Sequence, residues 1–159
     1  MTRIFLGLGS NLGDRQRFID QAIDFLAGKV EVIARSKTYE TAAWGKTNQP
    51  KFLNLCLAGQ TALSADELLD FIKDVEAESG RKPSEKWGPR EIDIDILFYS
   101  DQIIQENKLV IPHPSLQERA FVLIPLNEIA PSFTHPVLGK SIAELTKNID
   151  KTGVKIYEP

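Results

Sequence analysis

The chain has 159 residues, 42% of them hydrophobic and 26% charged, with a net charge of -3. That length suits one domain burying roughly 70% of its unfolded surface, and the composition excludes a disordered or fibrous chain. The acidic balance excludes the global positive field of a nonspecific nucleic-acid binder, so any phosphate site must be local.

In chain order, residues 3–8 (RIFLGL) predict a first strand. An amphipathic helix follows, with Ile19, Ala22, Ile23 and Leu26 as its apolar face and a stop at Gly28. Between them, GLGSNLG departs from a dinucleotide fingerprint, because Gly13 sits one place too far for G-x-G-x-x-G; a tight turn with backbone donors is expected there. Residues 30–39 and 52–61 are β-rich, and the polar stretch 40–51 predicts a long loop between them. Cys56, the only cysteine, excludes an internal disulfide and a cysteine-cluster metal site, suits a reducing compartment, and is expected buried in its strand.

Ser64 and Glu67 predict a capping box for a helix with Leu68, Leu69, Ile72 and Val75 on its apolar stripe, ended by Gly80. A strand at 92–98 completes the order βαββαβ, so the expected class is α+β with a ferredoxin-like core. A hairpin at 102–111 and short helices opened by capping boxes at Ser115/Glu118 and Ser141/Glu144 decorate it. No repeat or linker divides the chain, and 1–159 reads as one domain. The N-terminus does not read as a secretory signal, and the longest apolar run, FVLIPL at 121–126, is far below the ~18 residues that span a bilayer. A cytoplasmic protein with no membrane partner is expected.

The chemistry concentrates in KWGPREIDIDIL. Strand alternation puts Asp93 and Asp95 on one face, about 7 Å apart along the chain. A plain half-wet strand also alternates, but two carboxylates at i and i+2 repel, and a bound cation relieves that. Mg²⁺ takes one or two carboxylates plus substrate phosphates, which fits a pair without a Cys or His cluster. Arg81, Lys82, Lys86 and Arg90 precede it within ten residues, the complement a metal-bound polyphosphate needs. No P-loop is present: Gly45-Lys46-Thr47 lacks its first glycine, Glu40 standing there. Phe52, Trp87 and Phe121 stand in loops or at strand starts, where packing competes with ligand stacking as their role. His113, between two prolines and near Arg119, is a site candidate, and His135 is assigned nothing.

KWGPREIDIDIL resembles the signature of the 6-hydroxymethyl-7,8-dihydropterin pyrophosphokinase family. GLGSNLGDR, TAAWGKTNQPKFLN at 41–54, EAESGR at 76–81 and the PHPSLQERAFVLIPLNEIAP run are similar to family segments in family order. The resemblance implies Mg²⁺-dependent transfer of a diphosphate from ATP to a pterin alcohol, with AMP as leaving group, in folate biosynthesis. It implies that Asp93 and Asp95 hold two Mg²⁺ ions, that Arg81 and Arg90 steady the transferring diphosphate, and that Asp95 is catalytic. It places the pterin between Phe52 and Phe121, read by Thr41, Asn54 and the Gly45 loop, and the nucleotide beside Glu76, Lys108, His113 and Arg119. Trp87, with Lys82 and Lys86, falls on the loop that closes over the reactants. A monomer acting on ATP and the pterin, without nucleic acid, is expected. Ala43, Pro83 and Lys86 depart from the family pattern, and lysine supplies charge without an arginine's bidentate fork.

Two rivals come from physics alone. A polymerase or cyclase palm also sets paired carboxylates on a ferredoxin-like core, but it needs a broad basic surface that a net charge of -3 opposes. A noncatalytic small-ligand sensor on this fold needs neither the aspartate pair nor the basic loop, and binds without Mg²⁺.

Overall fold

The computed structural model describes residues 1–42, 48–82 and 88–158. The elements run Thr2–Ser10 (β1), Arg15–Leu26 (α1), Val30–Arg35 (β2), Tyr39–Thr41 (β3), Phe52–Thr61 (β4), Ala65–Glu78 (α2) and Asp93–Tyr99 (β5). They continue with the hairpin Ile104–Gln105 (β6) and Val110–Ile111 (β7), helices Ala120–Ile129 (α3) and Ile142–Lys147 (α4), and Lys155–Ile156 (β8). The main sheet is ordered β5-β1-β4-β3-β8 with β2 also on β4, and its pairings are antiparallel. The helices and sheet make a mixed α and β fold.

Strand alternation divides the core. Ile4, Leu6 and Leu8 of β1, Leu53, Leu55 and Leu57 of β4, and Ile94 and Ile96 of β5 pack with α1 and α2 through Ile19, Leu26, Leu68 and Ile72. The opposite face carries Phe5, Cys56, Ala58 and Phe98, covered by Val122, Leu123 and Leu126 of α3 and Ile142 of α4. A buried Leu or Ile is worth about 1.5–3 kcal/mol and an exposed ion pair such as Arg35–Asp20 about 0–1 kcal/mol. The apolar stripes therefore hold the helices in place.

The expected helices α1 and α2 and the hairpin are present. Ser64 and Glu67 form the reciprocal capping box, and Ser141 and Glu144 form another. Gly80, at φ +95°, ends α2 in a Schellman turn, with Gly80 N–H donating to Ala77 O at 3.1 Å and Arg81 N–H to Glu76 O at 3.0 Å.

Four expectations are corrected. Gly7 and Gly9 lie inside β1, paired to Cys56 and Asn54 on one side and Asp95 and Asp93 on the other, so the turn starts only after Ser10. The segment 30–39 is two strands: Ser36 still keeps step with Cys56, donating its N–H to Cys56 O while its Oγ accepts Cys56 N–H at 3.0 Å, and an extra residue at 37–38 shifts the register before Tyr39 pairs with Asn54. Ser115 makes no side-chain cap on the single 3-10 turn Leu116–Glu118, because its backbone is not extended and its N–H is directed at His113 Nδ1. Phe121 belongs to the first turn of α3, neither to a loop nor to a strand.

A polar tie from α3 crosses the second face. Glu128 of α3 accepts the Tyr39 hydroxyl at 2.7 Å and the Lys37 N–H at 3.0 and 3.2 Å. Burial, then Glu128, pushes the Tyr39 phenol up to about 12. The neutral phenol is the form the fold favours, so its contribution is complete below pH 10 and lost as pH rises through about 12. Tyr39→Phe is expected to cost about 1 kcal/mol at pH 8, shrinking toward zero at pH 12, as read by urea denaturation of parent and variant at both pH values.

Candidate active site

The second face of the sheet is only half covered. Beyond α3 it opens into a cleft of about 670 Å³ with the open solvent at its mouth included, floored by Gly7, Gly9, Asn54, Cys56, Asp93 and Asp95 and walled by Phe52, Gly88, Arg90, Arg119 and Phe121. The face that sequence alternation assigned to Asp93 and Asp95 is the bottom of this cleft, where both side chains stay partly exposed. Two glycines make the trough. A Cβ on Gly9 would stand 2.7 Å from Asn54 Oδ1, whereas one on Gly7 would meet only Leu97 at an ordinary 3.5 Å.

A bulge in β5 aims the floor. Leu6 faces Ile96 but Phe5 faces Phe98, leaving Leu97 as the extra residue. Leu97 and Phe98 therefore both serve the second face, while Asp93 and Asp95 stay in step with Gly9 and Gly7.

At one end, Asp93 Oδ1 lies 3.2 Å from Arg81 Nη1 and 3.3 Å from Arg90 Nη1. Glu76, buried at the end of α2, accepts Arg81 Nη1 at 2.6 Å and the Ile94 N–H at 2.9 Å, so a carboxylate fills the sheet edge between the two aspartates. Burial raises Glu76 against the pull of those bonds. Asp95 is pushed up to about 7, first by burial and then by Asp93, with Arg119 opposing. His113 Nε2 stands 3.8 Å from Asp95 Oδ2, and burial together with Arg119 pushes the imidazole down to about 4. His113 is thus neutral at pH 7, and the contact is no salt bridge. His113 N–H donates to Leu97 O at 3.1 Å, which seats the residue along β5.

At the other end, Asn54 Nδ2 donates to Thr41 Oγ1 at 2.9 Å, both residues buried. Phe52 and Phe121 border the same cleft, and the Arg119 guanidinium lies 5.6 Å from the Phe121 ring centre.

The cleft thus gathers Phe52, Asn54, Arg90, Asp93, Asp95, Arg119 and Phe121 in its lining, with Thr41, Glu76, Arg81 and His113 bonded to or beside lining residues. Lys108 lies apart, on the hairpin turn, with Nζ 3.8 Å from Asp66 Oδ1. Lys82 is exposed. Gly45, Lys86 and Trp87, like Ala43 and Pro83, lie outside the described residues.

Cys56 is buried in its strand as expected; its place in the cleft lining, which follows from its parity with Asn54 along β4, was not foreseen, and burial raises its thiol far above the usual range, leaving it inert. Sequence reasoning also passed over Asn11, just behind the cleft. A polar residue after a strand carries no signal that tells a hub from a turn. His135 is structural: its Nδ1 accepts the Val137 and Leu138 N–H groups at 3.1 Å, and its ring meets Phe98 edge-on.

The chain is similar to known proteins over most of its length. The family model for 7,8-dihydro-6-hydroxymethylpterin-pyrophosphokinase matches residues 5–131. A 2-amino-4-hydroxy-6-hydroxymethyldihydropteridine pyrophosphokinase of Aquifex aeolicus is 49% identical, covering 91% of this chain and 90% of the relative. One of Methylorubrum extorquens is 42% identical over 99% of this chain and all of the relative. The crystal structure of a wild-type Plasmodium falciparum HPPK-DHPS with pteroate shares the fold, with a TM-score of 0.74 at 19% identity over 92% of this chain, which spans 42% of that longer one. By the extent of the family match and the identity of these relatives, the chain belongs to the 7,8-dihydro-6-hydroxymethylpterin-pyrophosphokinase family.

Proposed function

We propose that the cleft holds ATP and 6-hydroxymethyl-7,8-dihydropterin end to end and transfers a diphosphate between them. The hydroxymethyl oxygen bonds to the β-phosphorus, the bond from that phosphorus to the α-phosphate oxygen breaks, AMP leaves, and the hydroxyl proton is lost. One observation carries this reading: a carboxylate pair, arginines and two phenylalanines border the same cleft, which is the requirement of a charged polyphosphate meeting a flat ring.

Mg²⁺ fits the floor. Asp93 and Asp95 offer hard oxygen donors on one face, and the burial and mutual repulsion that push Asp95 up to about 7 are what a divalent cation relieves. Asp93 and Asp95 would hold the two Mg²⁺ ions of this reading, whose charge would offset that of the phosphates. Arg81 and Arg90, already on Asp93, would steady the charge of the transferring diphosphate, and Asp95 is assigned the catalytic role. Glu76, His113 and Arg119 are assigned to the nucleotide in this reading, Lys108 joins them only by leaving Asp66, and Lys82, Lys86 and Trp87 are assigned the covering role that the family resemblance implies. Positioning and charge are the protein's main tasks in such a transfer.

The pterin lies between Phe52 and Phe121, with Thr41, Asn54 and the Gly45 loop on its polar edge. A stacked face is worth about 0.5–1.5 kcal/mol beyond area burial. Phe121→Ala is therefore expected to weaken pterin binding about tenfold and leave the affinity for a nonhydrolysable ATP analogue within about twofold. Equal loss of both ligands in calorimetric titrations would return Phe121 to a packing role.

The antiparallel neighbours β5-β1-β4-β2, with helices α1 and α2 on one face, support the ferredoxin-like assignment. Among the described residues no helix is long and apolar enough to cross a membrane; a cytoplasmic, monomeric enzyme is part of the proposal. The test is to mix protein, ATP, Mg²⁺ and the pterin and separate products by chromatography. AMP and pterin diphosphate in equal amounts, absent without Mg²⁺ or pterin, are expected. A folded protein that binds the pterin without Mg²⁺ and yields no AMP would be the small-ligand sensor instead.

A further inference from the structure

Asn11 stands at the turn between β1 and α1, 1% exposed, and it is bonded to both ends of the cleft. Toward the phosphate end, its backbone N–H donates to Arg90 O at 3.0 Å and its Oδ1 accepts the Arg90 N–H at 2.8 Å. Toward the pterin end, its Nδ2 donates to Gln49 Oε1 at 2.8 Å and to Pro50 O at 3.0 Å. Both amide protons and the amide oxygen are used.

The orientation of the amide is fixed by two backbone groups, since only an oxygen can face the Arg90 N–H and only an NH₂ can face the Pro50 carbonyl. Gln49 and Pro50 lead directly into Phe52, and Arg90 both borders the cleft and pairs with Asp93. The Asn11 side chain is thus a short bolt between the segment that carries Phe52 and the segment that carries Arg90. The pterin-side stem has a second anchor on the same turn, because Arg15 Nη1 donates to Lys51 O at 3.0 Å.

We propose that Asn11 is a positioning residue that couples the two substrate sites, so that ordering the Arg90 segment around nucleotide also orders the Gln49–Phe52 segment for the pterin. The proposal rests on the functional reading above. Coupling of this kind is a free energy shared by both ligands, so each must tighten the other by the same factor. A residue that only filled a turn would change stability and leave that factor alone.

Asn11→Asp is the selective cut. It keeps the oxygen that receives the Arg90 N–H and sets an oxygen against the Pro50 carbonyl, a bond that no rotation of the Gln49 amide can restore, so the cut falls on the pterin-side half. The measurement is calorimetric titration of the pterin alone, of α,β-methylene-ATP with Mg²⁺ alone, and of each in the presence of the other. The parent is expected to bind pterin at least tenfold tighter with the nucleotide analogue present, and Asn11→Asp is expected to reduce that factor below twofold, with the analogue's own affinity within about threefold. Should Asn11→Asp fold poorly, Gln49→Ala removes one of the two pterin-side acceptors and is expected to cut the factor at least by half. A parent that binds both ligands independently, or variants that keep the parent's factor, would overturn the coupling and leave the reaction assignment intact. A parent that binds neither ligand would remove the functional reading itself.

Discussion

Asp95→Ala is expected to lower turnover about thousandfold, on the order of 4 kcal/mol of barrier, without unfolding the protein. The carboxylate lies on the floor of the cleft, in register with Gly7 and two residues from Asp93, and a methyl group there can neither ligate a cation nor support charge on a transferring diphosphate. Its cost to the free enzyme runs the other way. Burial and the neighbouring Asp93 push the group up to about 7, so the fold favours its neutral form. The favourable contribution is complete below the ordinary carboxylate range near pH 4 and is lost as pH rises through about 7. Above that pH the ionised carboxylate is a burden, and Asp95→Ala should be at least as stable as the parent to urea at pH 8 in the presence of a chelator, with no such advantage at pH 4. Opposite signs for activity and stability are the mark of a group kept for its chemistry. A loss of turnover below tenfold would sink the metal-site assignment, and a large loss of stability at pH 8 would make Asp95 a structural residue.

Where the sequence was legible, one physical rule decided the outcome with no competitor. Leu68, Ile72 and Val75 repeat at helical spacing between a Ser64/Glu67 box and Gly80, and α2 runs between those marks. Asp93 and Asp95 share a face because strand alternation allows nothing else. What alternation could not say is which face is wet, since that depends on how far α3 reaches across the sheet. Helix α3 was itself hidden: AFVLIPLNEI is apolar nearly all round, so it shows no helical period, and Pro125 in its interior argues against a helix. Tertiary burial between the sheet and α4 overrides that local preference. The capping pattern at Ser115 misled for the converse reason, because a local signal was real in composition and the His113 imidazole had already engaged the Ser115 N–H. The ties at Glu76 and Asn11 join residues 18 and 79 positions apart, and no single-sequence pattern links positions so distant.

Gly9→Ala is expected to weaken pterin binding about hundredfold, roughly 2.7 kcal/mol, while leaving Mg²⁺ and nucleotide-analogue affinity within about threefold. Gly9 cannot retreat, because it is hydrogen-bonded into the centre of the sheet between Asn54 and Asp93. Its new methyl would stand 2.7 Å from Asn54 Oδ1 and 3.4 Å from Phe52 Cδ1, so the side chains must move. Asn54 is buried and bonded through Nδ2 to Thr41 Oγ1, and swinging it away leaves two buried polar groups without each other, a loss of about 1–3 kcal/mol. The damage falls on the residues assigned to the pterin's polar edge and on one of its stacking rings, and it spares the Arg81, Arg90 and Asp93 contacts at the opposite end. Gly7→Ala separates this effect from a general intolerance of β1. Its methyl meets only Leu97 at 3.5 Å, an ordinary contact, so its melting temperature should match the parent's while Gly9→Ala melts several degrees lower. If Gly9→Ala bound pterin within threefold of the parent, the wall formed by Phe52 and Asn54 would not be the pterin's, and the ring would have to lie elsewhere along the cleft.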